Sequence, residues 1–486
     1  MTIDGQYHTI SGSNLARIFD VNSGGVTIMN INFVNGTHAQ NGGAIQWSGA
    51  NGQLIGNNFT NNTADYGGAV YWWARNPTIT NNNFNKNTAS GNGGAIQLSV
   101  IYANVEENTF TQNHADEEGG AVYWNGENGK VYNSNFIEND AKSGGAIYWR
   151  IENGKVEKSN FTGNKAEKDG GAVYWNGYDG KLENSNLTGN TATERGGAIY
   201  WAGDDSQLVS STFTNNNASY GGAIYWSKDN GLISQSNFTD NTAINKGGAI
   251  LWIGNGGQIS QSNFIGNTAN EGGAIQWTGN DGTINNSNLT DNTATEDGGA
   301  IQWDGFDGQI NYSTFENNTT ERGIGGAIRW DVGAVNGQIN NSNFTSNTAE
   351  IDFGGANYSQ AMNFMISNSH FNNNTAKSDG GAIFLWGDNS SVGNSNFTDN
   401  TTEDKSGGAA VFNGDNITVS NSNFNNNRAL FGGAIRWWGE NGTLNKSNFT
   451  NNTANEGGAI CWIGENGKVE YSNFNNNNAS KTGGAI

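Results

Sequence analysis

Apolar residues recur along the chain at short, regular intervals, and the coil that begins at Gly144 shows the pattern. Ile147 and Trp149 alternate with polar or amphipathic neighbours, Val156 lies between two charged residues, and Phe161 lies between Asn and Thr. Alternation with a period of two is typical of strands that bury one face. No window carries the period of 3.6 that an amphipathic helix requires. The pattern predicts three short strands in each coil and no helix.

This unit repeats along almost the whole chain. Each copy opens with Gly-Gly-Ala, and most openings lie 25 or 26 residues apart, with exceptions of 27 and 29. A fixed period of this length predicts an all-β, single-stranded parallel β-helix (solenoid), in which each strand pairs with its copies in neighbouring coils at about 4.8 Å. The openings begin at Gly42, Gly67, Gly93, Gly119, Gly144, Gly170, Gly196, Gly221, Gly247, Gly272, Gly298, Gly325, Gly354, Gly380, Gly407, Gly432, Gly457 and Gly483.

The first 41 residues depart from the repeat. Arg17-Ile18-Phe19 stands where Gly-Gly-Ala is expected, although Ile28 and Phe33 already match the second half of the next coil. Terminal repeats of a solenoid are irregular because they must cover the core. We predict an N-terminal capping coil over 1-41 and parallel β-helix repeats over 42-486, as one continuous solenoid.

Stacking in register should place like side chains above one another. The Ile/Val column of the first strand and the Phe column of the third should be buried, and the Asn three residues after Phe should form a corner ladder of mutually satisfied amides. Trp shares the parity of Ile, which predicts a core position. The alternative is an outward row of indoles that would serve as a glycan platform or a protein interface. The Trp column contains Trp124, Trp149, Trp175, Trp201, Trp226, Trp252, Trp277, Trp303 and Trp330.

The residue between Ile and Trp in the first strand should point outward. Along the chain this column is rich in Tyr and Gln, and Tyr offers a large contact area with few rotatable bonds. We predict a flat, stiff binding stripe there. The alternative is that Tyr is only a good former of exposed strands. The candidate binding residues are Tyr123, Tyr148, Tyr174, Tyr200, Tyr225, Gln276, Gln302 and Arg329.

Composition narrows the possible functions. The net charge of −21 argues against a nucleic-acid partner, whose backbone requires a basic surface. The single cysteine, Cys461, cannot form an internal disulfide, so it does not indicate whether the protein resides in an oxidising or a reducing compartment. No apolar run approaches the roughly 20 residues that span a bilayer, and Met1 to Ile10 lack the features of a signal peptide. Because the chain stops just after the repeat at Gly483 begins, we interpret it as a segment truncated at its C-terminal end, without the export signal and anchor of a longer protein.

Candidate catalytic residues are few. Asp304 and Asp331 each follow a column Trp on neighbouring coils, with Asp307 and Arg329 nearby, and two carboxylates are what glycoside hydrolysis needs. Acids are frequent in every turn, however, and stacking makes chance pairs common, so solvated turn residues explain the pair without any chemistry. No histidine-based catalytic motif, metal site or cofactor site is recognisable, and the signal for calcium at the acidic turns is weak. We therefore expect that the chain is not an enzyme.

Two further features concern the surface. Asn-x-Thr acceptor sites recur on the third strand, where both residues should face solvent and could carry glycans in an exported protein. The alternative is a purely structural polar ladder. The acceptor sites are Asn58, Asn160, Asn186, Asn237, Asn343, Asn396 and Asn448.

Irregular coils are the expected places for a specific site. These are the coils from Gly93 and Gly354, and residues 325–380 are the first region in which we expect such a site.

Repeated Gly-Gly-Ala-Ile paired with Phe-x-x-Asn, as at Phe59 to Asn62 and Phe449 to Asn452, resembles the polymorphic outer-membrane-protein repeat. The Asn-rich and Thr-rich form seen here is similar to adhesin-like surface proteins of methanogenic archaea. The resemblance implies a right-handed β-helix displayed outside the cell, with adhesion to a surface glycan or protein of another cell as its role. The alternatives are a purely structural surface filament that self-associates and, second, a glycan-cleaving β-helix enzyme.

Overall fold

A computed structural model describes residues 1–486, and it contains strands, turns and no helix. The chain divides into two compact units, Met1–Thr242 and Ala243–Ile486. In each unit the strands run parallel and stack as a β-solenoid, and the two units together contain about 18 turns. The predicted solenoid class is confirmed, while its right-handed sense stays a prediction.

One coil illustrates how the sequence becomes strands. In the coil from Gly144 the strands are Ile147–Trp149, Lys155–Glu157, Asn160–Thr162 and Lys165–Ala166. The first three are those that the alternation predicts. The fourth is a short strand in the segment that returns the chain to the next Gly-Gly, and sequence analysis treated that segment as a connection. In each unit the first strands form one sheet, and the second and third strands share another.

The first strands carry the candidate site, so their bounds matter most. In the N-terminal unit they are Phe19–Val21, Ile45–Trp47, Val70–Trp72, Ile96–Leu98, Val122–Trp124, Ile147–Trp149, Val173–Trp175, Ile199–Trp201 and Ile224–Trp226. In the C-terminal unit they are Ile250–Trp252, Ile275–Trp277, Ile301–Trp303, Ile328–Trp330, Asn357–Ser359, Ile383–Leu385, Ala410–Phe412, Ile435–Trp437 and Ile460–Trp462.

The lead-in already follows the repeat. Phe19–Val21 pairs with Ile45–Trp47 as a first strand. The longer strands Thr2–Ser11 and Thr27–Val34 pair with each other in parallel, with a register shift between Asp4 and His8. The side chain of Arg17 donates to the carbonyl oxygens of Asn41 and Gly42. The division between a capping coil and the repeats stays a prediction.

Aromatic columns fill the core, as parity predicts. In the N-terminal unit the indoles from Trp124 to Trp226 are fully buried and stack with ring centroids 4.3 to 5.1 Å apart. The Phe column stacks in the same way, with Phe136 and Phe161 4.7 Å apart. In the C-terminal unit Trp277 and Trp303 stack at 4.8 Å. The Trp column is therefore core, and the alternative of an outward row of indoles is wrong.

The corner asparagines form the predicted ladder. Nδ2 of Asn164 donates to the carbonyl oxygen of Phe136 and to Oδ1 of Asn190, each at 3.0 Å. Oδ1 of Asn164 accepts from both the backbone nitrogen and Nδ2 of Asn139. Each buried amide thus satisfies its donors and its acceptor within the column, which removes the penalty of burying a polar side chain.

The residue five positions after Trp149, Gly154, lies against its indole ring, and the size of the residue at this position can be compared between coils. A Cβ on Gly154 would lie 2.3 Å from Cε2 of Trp149, so a larger residue at that place would crowd the indole as it lies in this coil. Where Leu98 replaces Trp in the column, the position equivalent to Gly154 is alanine, Ala103. Glycine is not invariant beside the indoles, because the equivalent positions are Pro77 in the coil of Trp72 and Ser206 in the coil of Trp201. Packing against the indole therefore favours glycine at this position without being its only determinant.

The pairing of Trp149 with Gly154 predicts a compensating double mutant. Gly154→Ala should destabilise the protein by about 1–3 kcal/mol through overpacking. In a Trp149→Leu background the same alanine should cost much less, because leucine leaves room for it. Chemical denaturation of the four proteins measures the coupling. An alanine cost that is equal in both backgrounds would contradict the compensation.

Candidate functional site

The middle residues of the first strands form an outward column, and in the N-terminal unit this column is a tyrosine stack. We define the tyrosine stack as Tyr123, Tyr148, Tyr174, Tyr200 and Tyr225. Neighbouring rings lie 5.5, 4.6, 4.7 and 5.2 Å apart, with interplanar angles of 10 to 23°. In-register pairing, such as Tyr148 with Tyr174, sets this spacing. The stack is a rigid aromatic surface that the fold assembles in advance of any ligand.

Neighbouring side chains cover much of the stack, and we name the stack together with these neighbours the groove. Tyr123 and Tyr200 are only 5% and 8% exposed, and the other three rings are half-buried. Glu118 accepts a hydrogen bond from Tyr148 on one side of the column, and Arg150 interacts with Tyr123 on the other. Charged residues just before Gly-Gly and just after Trp therefore form the two walls of the groove.

Arg195 is the most constrained residue of these walls. Its Nε and Nη2 donate to the two carboxylate oxygens of Asp169 at 2.8 and 2.7 Å, and its Nη1 donates to the hydroxyl of Tyr200. The guanidinium also lies 4.6 Å from the ring centroid of Tyr200 and 5.5 Å from that of Tyr225. The bidentate bond with Asp169 raises the pKa of Arg195. This network fixes the cation over the rings.

Four phenols of the stack, those of Tyr123, Tyr148, Tyr174 and Tyr225, have raised pKa values. Burial, and then the neighbouring Tyr200, raises the pKa of Tyr174 to about 12. Burial and the carboxylate of Glu118 raise the pKa of Tyr148 further. Burial likewise raises the pKa of Glu118. At neutral pH the groove therefore presents hydroxyl groups that can donate and accept hydrogen bonds beside the edges of the stacked rings.

In the C-terminal unit the outward column builds a polar cluster. Gln276 and Gln302 are buried, and their side-chain nitrogens donate to the two carboxylate oxygens of Asp304 at 2.7 and 2.9 Å. Burial raises the pKa of Asp304; the bond from Gln302 opposes this rise, and the negative charge of Asp331 adds to it. The two glutamines thus hold a partly desolvated carboxylate rather than forming an exposed stripe.

Arg329 joins the remaining acids of this cluster. It forms an ion pair with Asp297, and its Nη2 lies 3.6 Å from a carboxylate oxygen of Asp331. Asp307, which sequence analysis grouped with them, instead lies in the turn, where its carboxylate accepts from Asn336. Of the predicted catalytic group, Asp304, Asp331 and Arg329 are linked electrostatically.

The acidic turns considered for calcium are engaged by protein groups. Glu117 forms an ion pair with Lys142 at 2.7 Å, Glu118 binds Tyr148, and Asp297 binds Arg329. No group of three or more His, Cys, Asp or Glu side chains is placed to hold a metal ion. The structure also contains no helix that could span a membrane.

The asparagines of the acceptor sites form an outer amide ladder. Nδ2 of Asn160 donates to Asn135, and Nδ2 of Asn186 donates to Asn160, at 2.9 and 3.0 Å. Asn448 donates to Asn423 in the same way. This ladder gives these residues a structural role, and their glycosylation stays a prediction.

Sequence analysis missed the exposed tryptophans, Trp73, Trp386 and Trp438. Each directly follows the last residue of a first strand, so strand parity alone predicts that it points away from the core. Trp73 lines an open depression of about 540 Å³ in the N-terminal unit. That depression includes Ser99 and Ile101 of the coil from Gly93, one of the two coils that were predicted to be irregular.

Comparison with known proteins supports the repeat type. Segments 83–99, 158–174, 184–200, 210–225, 235–251, 368–385 and 446–461 match the Chlamydia polymorphic membrane protein repeat. Together these segments cover less than half of the chain, so they establish polymorphic-membrane-protein-type repeats and no finer family. No curated protein matches the sequence, and nothing supports the predicted resemblance to archaeal adhesin-like proteins.

Solved structures similar to this chain share only its fold class. A tailspike protein of E. coli bacteriophage HK620, in complex with a pentasaccharide, is 12% identical, with 92% of this chain and 72% of that chain covered and a TM-score of 0.34. A mannuronic acid specific polysaccharide family 6 lyase from human gut microbiota is 8% identical, with coverages of 91% and 86% and a TM-score of 0.32. The alginate lyase AlyGC is 8% identical, with coverages of 99% and 96% and a TM-score of 0.30.

These matches correct one prediction. Sequence analysis expected that the chain is not an enzyme, and this expectation is contradicted because lyases are among the structures that the chain resembles. The likeness is too distant to assign a reaction to this chain.

The raised pKa of Tyr174 predicts a loss of stability in alkali. An unfolded tyrosine ionises near pH 10, whereas Tyr174 in the folded protein ionises near 12. Its stabilising contribution should be fully present below about pH 10 and should be lost as the pH rises toward about 12. Tyr174→Phe should reduce this pH dependence, as measured by phenolate absorbance and by denaturation at several pH values. The matched control is Tyr102→Phe at an exposed position, and an equal effect of both substitutions would contradict the prediction.

Proposed function

We propose that the protein is a surface protein that binds glycans along the groove of its tyrosine stack. The observation that carries this proposal is the stack itself, five rings spaced 4.6 to 5.5 Å apart between charged walls. The polymorphic-membrane-protein-type repeats support a surface or outer-membrane location. Adhesion to the surface of another cell is the finer role that we infer from this combination.

The chemistry of the groove suits sugars better than most other ligands. The stacked rings cover one another's faces, so a sugar would meet the ring edges, while the phenol hydroxyls and the charged walls can bond to its hydroxyl groups. Because the side chains are already fixed by stacking and ion pairs, little entropy is lost on binding. A repeat of about 4.8 Å along the groove allows a glycan chain to meet the same surface at successive coils.

Removal of the central rings tests this function. Tyr148→Ala combined with Tyr174→Ala should weaken binding on a glycan array by about tenfold or more, because aromatic residues at the centre of an interface carry much of its binding energy. The matched control is Tyr178→Ala, which removes an exposed tyrosine outside the stack. Circular dichroism checks that both variants fold. Unchanged binding in the double variant would reject the groove, and fibre formation without any glycan binding would favour the structural filament.

A second candidate function is cleavage of the bound glycan, and the environment of Asp304 favours it. This carboxyl group is partly desolvated, its pKa is raised by burial, and Asp331 and Arg329 lie beside it. A carboxyl group with a raised pKa beside a second carboxyl group is the kind of pair that glycoside hydrolysis uses.

Product analysis tests this second function. The wild-type protein should release new reducing ends from a glycan that it binds, and Asp304→Asn or Asp331→Asn should abolish the release, because each removes one of the two required carboxyl groups. Asp307→Asn, in the neighbouring turn, is the matched control and should retain the activity. No release from any bound glycan, or equal loss in the control, would reject a catalytic role for Asp304.

A further inference from the structure

Three successive coils of the C-terminal unit repeat one exposed pattern after their first strands. Each segment has Trp or Asn, then Gly, then an acid, then Asn: Trp386-Gly387-Asp388-Asn389, Asn413-Gly414-Asp415-Asn416 and Trp438-Gly439-Glu440-Asn441. The preceding strand residues Leu385, Phe412 and Trp437 are paired in register. Trp386, Asn413 and Trp438 therefore lie in one row along the stacking direction, which we name the indole row.

The two indoles are exposed but held in place. Trp386 is 51% exposed and Trp438 is 46% exposed. The ring of Trp386 stacks on Phe384 at 6.1 Å with an interplanar angle of 17°. The guanidinium of Arg436 lies 4.5 Å from the ring centroid of Trp438 and 5.2 Å from that of Phe431. An exposed aromatic pair that is fixed in this way is a prepared binding surface rather than incidental exposure.

The glycines beside the row are buried and hold neighbouring coils close together. A Cβ on Gly414 would lie 2.5 Å from the carbonyl oxygen of Gly387, and one on Gly439 would lie 1.8 Å from the carbonyl oxygen of Gly414. Only glycine fits these positions, so close backbone contact between the coils fixes the places from which the indoles and the following acids project.

Acidic residues follow these glycines in each segment. One carboxylate oxygen of Asp388 accepts from the backbone nitrogen of Asp415, and one of Asp415 accepts from that of Glu440, both at 2.8 Å. These bonds orient the carboxylates and leave the second oxygen of each available as an acceptor. Hydroxyl donors match such acceptors, whereas an anionic ligand would be repelled.

We propose that the indole row is a binding platform for a neutral glycan chain that lies along the stacking direction. Trp386 and Trp438 are two coils apart, about 9.6 Å at the strand spacing, which is comparable to the length of a disaccharide in an extended glycan. Each indole would pack against a sugar ring, Asn413 would bond between them, and the acids would accept hydroxyl donors. The inference rests on the proposed glycan-binding function for the class of ligand, and it concerns residues separate from the tyrosine stack.

Isothermal titration with a panel of neutral oligosaccharides and uronate oligosaccharides of equal length tests the platform. At least one neutral member should bind, and Trp386→Ala and Trp438→Ala should each weaken that binding by about tenfold. Phe306→Ala, which removes an exposed aromatic residue outside the row, should leave it unchanged. Absence of any neutral ligand, tighter binding of uronates that depends on the row, or equal loss in the control would each overturn the proposal.

The same titrations separate this platform from the tyrosine groove. The Tyr148→Ala, Tyr174→Ala double variant should keep the neutral binding that depends on the indole row. If that double variant binds every glycan as the wild type does while the Trp variants fail, the groove is rejected and the platform stands. The reverse result rejects the platform and supports the groove.

Discussion

Stacking of like residues at one strand spacing is the constraint on which the rest of this structure depends. Parallel pairing aligns each first-strand residue with its copy one coil away, as for Ile147 with Val173 and Trp149 with Trp175. The backbone bonds of a strand run almost entirely between coils, so a single coil has little stability of its own. Most core side chains therefore lie against a residue of the same type, as Trp149 does against Trp175, although some columns change, as where Trp330 pairs with Ser359.

In the Trp column, stacking of like residues leaves the indole nitrogens without hydrogen-bond acceptors, which is unfavourable. The indole nitrogens, including those of Trp149 and Trp175, are buried without a hydrogen-bond acceptor, and each such group costs about 1–3 kcal/mol. Burying 150–250 Å² of an aromatic side chain contributes about 4–6 kcal/mol at 25 cal/mol per Å². Burial outweighs the unmade bond, which explains why so many coils keep tryptophan. The corner asparagines need no such offset, because each amide bonds to the next.

Sequence periodicity was sufficient to predict which side chains lie in the core, but it was not sufficient to predict how the surface side chains contact one another. Parity with Ile147 placed Trp149 inside correctly, and the spacing from Phe161 to Asn164 located the ladder. Burial of Tyr200 and Gln276 could not be predicted from the sequence. It depends on contacts with Arg195 and Asp304, which lie outside the first strands that carry Tyr200 and Gln276, and the repeat period does not predict the conformations of these side chains. The fourth strand is only two residues long in many coils, too short for an alternation to be recognised.

The indole row differs from the tyrosine stack in how strongly the fold constrains it. A residue in the row contributes its backbone N–H to the preceding coil, as Trp386 does to Ser359 and Asn413 to Leu385, and any residue except proline can supply that bond. The glycine that follows is fixed by close backbone contact, but the side chain before it is free to vary. Tyrosines of the stack must instead fit the ring above and the ring below. The side chains of the row can therefore change without disturbing the core, whereas a change in the stack alters its neighbours as well.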